Sequence, residues 1–145
     1  MSITPQDILT LAKSVDLGAP CEAEVRSAIS RAYYSAYHCA QSVFPPDKEF
    51  ARRARTGVHE SYIDQLMQAV PETTERLLAV KLKTMKERRV IADYRIGDDV
   101  RPFTAARQNQ EADEVFSLLS IASTAENPVP SQQNKPRPPT LTRLK

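Results

Sequence analysis

The side chains in this chain best suited to chemistry are arginines, tyrosines and two histidines set at helical spacings. Arg31, Tyr34, His38 and Gln41 are spaced i, i+3, i+7 and i+10, which puts them on one helix face. Such a face is either a solvated one, with amphipathic side chains lying along it, or an interface or RNA-facing groove, since Tyr and Arg are favoured at both. Further on, Arg88 projects between the apolar Met85, Ile91 and Ala92. An arginine held among apolar neighbours needs a carboxylate or several carbonyls. Arg89 and Asp93 are i, i+4 and can pair along the helix. Two readings stay open for this group: a structural ion-pair set, or a cation aimed at phosphate from a sheltered place. His59 opens a helix on its apolar side, the position of a partly buried, hydrogen-bonded histidine. Arg52 and Arg53 lie shortly before it.

Other chemistries lack their residues. Three glycines cannot build a phosphate-cradling GxxxxGK[ST] loop or a GxGxxG turn. There is no HExxH, and His38 and His59 have no cysteines or acids at zinc-ligand spacing. Asp98-Asp99 follows Gly97 and reads as a turn rather than as a catalytic carboxylate pair. Cys21 and Cys39 lack CxxC spacing and read as packed helix residues. The motifs call for no metal and no cofactor.

The elements that must position these residues are helices. Thr4-Pro5 is an N-cap followed by Pro at the first helical position, with Ile8, Leu11, Ala12 and Val15 at helical spacing behind it. Gly18-Ala19-Pro20 stops that helix. A second helix, about 21–43, carries an apolar stripe of Val25, Ile29, Ala32, Tyr33, Ala36, Ala40 and Val43. Pro45-Pro46 ends it. Residues 45–57 read as a basic loop with Lys48, Arg52, Arg53 and Arg55. A third helix turns Tyr62, Ile63, Leu66 and Val70 inward. The fourth, about 73–95, has a broad apolar arc that suggests a kink or break in its first half. The last, about 104–125, buries Ala105, Ala112, Val115, Phe116 and Leu119 and leaves Leu118 and Ile121 off its stripe. The expectation is all-α: an antiparallel bundle of four to five helices over residues 1–126, with a disordered, Pro-rich basic tail over 127–145.

The charge balance must be split to be useful. Of 20 basic residues, four fall in 127–145 without any acid, so the tail is +4 and the body, with all 18 acids, is −2. That body is not a generic nucleic-acid binder, and any affinity for phosphate must come from local clusters. The start, MSITPQDILTL, lacks a basic region followed by an apolar run, and no stretch is long enough to span a bilayer. The expected setting is cytoplasmic, away from membranes, with reduced thiols.

Two blocks carry a family resemblance. Ser27-Ala28-Ile29-Ser30-Arg31-Ala32-Tyr33-Tyr34-Ser35-Ala36-Tyr37-His38 resembles the second-helix signature of the HEPN superfamily (higher eukaryotes and prokaryotes nucleotide-binding). Arg89-Val90-Ile91-Ala92-Asp93-Tyr94 resembles its R-x-x-A-D-Y ending. His59 also sits where many such sequences keep a histidine, and the resemblance covers about residues 5–125. It implies a small helical bundle that forms a homodimer. Many members are metal-independent RNA endonucleases of toxin–antitoxin or antiviral defence modules. Their site is an R-x4–6-H motif, two copies of which meet across the dimer groove. Others have lost the motif and dock a partner such as a nucleotidyltransferase. Here the fourth intervening residue after Arg88 is followed by Asp93, not His. A carboxylate there cannot act as an imidazole would near neutral pH. If RNA is cut, the ribose 2′-hydroxyl would attack the neighbouring phosphate. Arg89, Arg88 or Arg31 would stabilise the phosphorane charge, and His59 or His38 would carry the proton. The resemblance therefore implies a ribonuclease or an RNA-binding dimer with Arg88, Arg89, Asp93 and His59 at its centre. Arg31, Tyr34, His38, Tyr94, Arg52 and Arg53 would line its RNA-binding or interface surface. The alternative is a catalytically degenerate module that docks an antitoxin or nucleotidyltransferase.

Overall fold

The computed structural model describes residues 2–126, with side chains through Ala122. The expected tail, 127–145, lies outside the described residues. Six helices follow one another: α1 Pro5–Lys13, α2 Glu22–Val43, α3 Lys48–Ala54, α4 Val58–Met67, α5 Thr74–Tyr94 and α6 Pro102–Glu126. Among the described residues there is no strand. The expected helical bundle is what forms, with α3 as a short addition.

Local chemistry sets the helix starts. Thr4 and Asp7 form a reciprocal capping box at α1, with Pro5 at the first position. Asp47 accepts from the backbone N–H of Glu49 and Phe50 and so starts α3, and Thr73 accepts from Arg76 N–H and starts α5. The basic loop expected over 45–57 is therefore partly helical. Asp47 supplies the cap, and Arg55, in the left-handed region at φ 53°, ends the helix. The break expected early in the fourth helical stretch is absent: α5 is continuous from Thr74 to Tyr94. Its broad apolar arc reflects contact with three helices, because α2, α4 and α6 all pack on it.

α2 is the central helix and packs against α1, α5 and α6. Its Ala28, Ala32, Ala36 and Ala40 recur every four residues and are fully buried, so neighbouring backbones come close. Ile29, Tyr33, Tyr62, Leu66, Leu78, Leu82, Met85, Val115 and Leu119 fill the rest of the core. Cross-contacts show that successive helices run antiparallel. Lys81 meets Glu114 while Arg88 meets Glu111, and Glu60 meets Lys86 while the Met67 carbonyl meets Arg76.

Three inward assignments shift. On α1 the buried pair is Leu9 and Ala12, with Leu11 turned to solvent, because the cap at Thr4 sets the helix phase. Val70 is exposed, since α4 ends before it. Phe116 is only partly buried. On α6 a polar residue, Gln108, is fully buried; its amide donates to the Ile29 and Met85 carbonyls, and its oxygen accepts from Arg88.

Arg26 on α2 closes the C-terminus of α5. Its guanidinium donates to the carbonyls of Ile91 (3.1 Å), Ala92 (3.0 Å), Arg95 (3.1 Å), Ile96 and Asp98, and to the Glu22 carboxylate. A helix end leaves its last carbonyls without partners and carries partial negative charge, and a half-buried cation answers both needs. Replacing Arg26 with Ala should lower unfolding free energy by about 2–3 kcal/mol, seen as a lower denaturant midpoint at unchanged slope. Arg26→Lys should recover less than half of that, because one ammonium cannot reach carbonyls spread over two turns.

Candidate functional site

Arg89 lies at the middle of the α2–α5 contact and is 6% exposed. Its guanidinium carbon stands 5.4 Å from the Tyr33 ring centre, 5.6 Å from Tyr34 and 5.8 Å from Tyr94. Aromatic faces attract a cation, most strongly where water is excluded. The Asp93 carboxylate is 3.7 Å from Nη1 and accepts from the Ser30 hydroxyl at 3.1 Å. Among the described residues, Arg89 Nε has no hydrogen-bond partner although it is buried. A buried, unsatisfied guanidinium N–H costs folding free energy and has capacity left for an acceptor.

His59, at the start of α4, sits inside the tyrosines of α2. Its ring centre is 4.3 Å from Tyr37, 5.4 Å from Tyr33 and 5.5 Å from Tyr34, and its Nδ1 is 2.9 Å from the Tyr33 hydroxyl. Burial pushes its pKa down to about 4, and the charges of Arg89, Lys86 and His38 push the same way. Burial holds the Tyr33 hydroxyl well above its ordinary value. Near neutral pH, then, Tyr33 keeps its proton and His59 is neutral, and one hydrogen bond joins the hydroxyl to Nδ1. Beside it, Glu60 pairs with Lys86 from α5, which ties the start of α4 to α5.

The outer surface continues from this centre. Arg31 and His38 are exposed, Tyr34 is half-buried, and Tyr94 is 71% exposed. Tyr34 and His38 stack at 6.3 Å, and Arg31 is held by the Ser27 hydroxyl at 3.1 Å. So Arg89, Asp93, His59, Tyr34, His38 and Tyr94 come together, with Arg31 one turn along α2 from Tyr34. Arg88 does not join them. It turns to α6, where Glu111 holds it at 2.5 Å beside Gln108, which is the structural ion pair. Arg52 and Arg53 stand on α3, exposed and turned to Glu49.

Sequence reasoning missed Tyr33 and Tyr37 as site residues because they share the buried face of α2. Their i, i+4 spacing, with rings stacked at 5.9 Å, was the available signal. Lys86 and Glu60 had none, since nothing local links two residues 26 positions apart. Among the described residues no group of His, Cys, Asp and Glu side chains is placed to hold a metal ion, and no helix is long and apolar enough to cross a membrane. In comparisons with known proteins the chain matches no family model, no curated protein and no solved structure.

The neutral His59 ties stability to pH. Its folded pKa, about 4, lies below the ordinary value of 6.5, so the unfolded chain takes up a proton that the folded one refuses. Stability from this group is complete above pH 6.5, falls between 6.5 and 4, and levels off below 4. An imidazole titration by NMR should place His59 near 4, and His59→Gln should flatten the loss of stability across that window.

Proposed function

We propose that this chain is a HEPN-like component of a prokaryotic toxin–antitoxin or antiviral defence module, and that it binds RNA as a homodimer without needing a metal. The observation that carries the reading is Arg89: a buried cation whose Nε has no partner among the described residues, set behind a face of Tyr34, His38 and Tyr94 and flanked by Arg31. Exposed aromatic rings take stacked bases of any sequence, and guanidinium groups take phosphate oxygens. Binding fits the site better than cutting. A general acid or base near neutral pH works best with a pKa near 7, and His59 is held at about 4. Asp93, where an imidazole would stand in a nuclease of this kind, is engaged by Arg89 and Ser30.

A second reading is a module that docks a protein partner such as an antitoxin or nucleotidyltransferase. It is favoured by an apolar groove of about 480 Å³ between α5 and α6, walled by Leu77, Leu118 and Ile121.

Single-stranded RNA titrated by fluorescence anisotropy in EDTA separates the two. Replacing Tyr34 and Tyr94 together with Ala should weaken RNA binding about tenfold or more while helical content is kept, since each stacked base contributes about 1–3 kcal/mol. Arg89→Met should weaken it further and reduce its salt dependence. RNA binding unchanged in all these variants, together with retention by a nucleotidyltransferase that Ile121→Asp abolishes, would move the assignment to the docking module.

A further inference from the structure

Beside α3 lies a cavity of about 360 Å³, lined among others by Tyr37, Gln41, Pro46, Arg52, Val58 and Tyr62. It exists because α3 stands off the bundle. Among helices α3 packs on α4 alone, and none of its residues is buried. Asp47 and Gln65 hold its start: the Gln65 oxygen accepts from Asp47 N–H at 2.7 Å, and its amide donates to the Pro45 carbonyl at 3.1 Å. The αL backbone at Arg55 turns the chain back to α4.

Most polar groups in the wall are already used. The Tyr62 hydroxyl donates to the Phe44 carbonyl, the Ser61 hydroxyl to the Val58 carbonyl, and both ends of the Gln65 amide are engaged. Among those left open, Tyr37 and Gln41 stand next to each other. The Tyr37 hydroxyl accepts from Gln41 Nε2 at 2.9 Å, but its own proton has no acceptor among the described residues. Gln41 Oε1 likewise has no donor among them. Burial raises the Tyr37 pKa, so the proton stays on and remains available. An apolar slot with one donor beside one acceptor matches the edge of a planar heterocycle that offers an acceptor next to an N–H. Arg52 in the lining is exposed and held only by a surface pair to Glu49, which is weak enough to be exchanged for a phosphate.

We infer that this cavity is a nucleobase pocket, with Tyr37 and Gln41 reading the base edge and Arg52 meeting its phosphate. Gln41 is also the last residue of the Arg31–Tyr34–His38 stripe, so a strand lying along α2 leads into the pocket. The pocket rests on the RNA-binding reading only for the source of its base, because a free nucleotide presents the same edge.

The test uses the full chain and two probes: the four ribonucleoside 5′-monophosphates followed by NMR, and single-stranded RNA followed by anisotropy. At least one mononucleotide should bind at or below about 5 mM. Tyr37→Phe and Gln41→Leu, both conservative in shape, should each weaken it about three- to tenfold, the size of one lost neutral hydrogen bond. Arg52→Ala should weaken the monophosphate but not its nucleoside. Binding that these variants leave unchanged would overturn the pocket. So would silence from all four mononucleotides combined with RNA affinity untouched by Gln41→Leu. RNA that binds through Tyr34 but ignores Tyr37 and Gln41 leaves the RNA reading standing without the pocket. Mononucleotides that bind when RNA does not leave the pocket standing with a free nucleotide as its ligand.

Discussion

The relation between α2 and α5 is fixed by one guanidinium. Arg26 reaches the carbonyls of Ile91, Ala92, Arg95, Ile96 and Asp98, so it sets the two helices in register as well as covering an open helix end. With that register, Ser30 falls opposite Asp93 and Tyr33 opposite Arg89. A shift of one turn along either helix would carry Tyr33 and Tyr34 off Arg89 and Ser30 off Asp93. The alanines at positions 28, 32, 36 and 40 allow the close approach, but small residues slide easily and do not choose a register. Hydrogen bonds to particular carbonyls do.

The chemistry of the centre follows from its dryness. Tyrosine rings surround both Arg89 and His59, and the two respond in opposite ways. The imidazole gives up its charge and shares a hydrogen bond with the Tyr33 hydroxyl. The guanidinium is stabilised by ring faces and by Asp93. The Arg89–Asp93 pair and a neutral imidazole are thereby held against an aromatic surface.

Much of the helical bundle could be read from letters alone, because caps and breakers are local. Thr4, Pro5, Pro45 and Thr73 act where they stand. α3 was harder to read: seven residues with three basic ones and one acid show no apolar period, and its start depends on Asp47. The site was legible in part. Arg89, Asp93, Tyr34 and His59 were singled out, and they do converge. Arg88, equally prominent in sequence, turns the other way, because neighbours on a helix differ by about 100° and Glu111 takes it. Arg26 gave no signal because its partners are backbone carbonyls, which every residue carries. Gln108 was hidden for the same reason: its buried amide is satisfied by the main chain of α2 and α5.

The free Nε of Arg89 has a thermodynamic meaning for the whole chain. Stripping a guanidinium of water is costly, and here the cost falls on folding, before any anion arrives. On the RNA-binding reading, a phosphate that displaced the covering rings would meet a cation already desolvated. Asp93 keeps partial access to water and would lose little if its partner were apolar. On that reading, conformational stability and anion affinity pull against each other at this position: an apolar side chain of similar volume would suit the fold, and arginine the site.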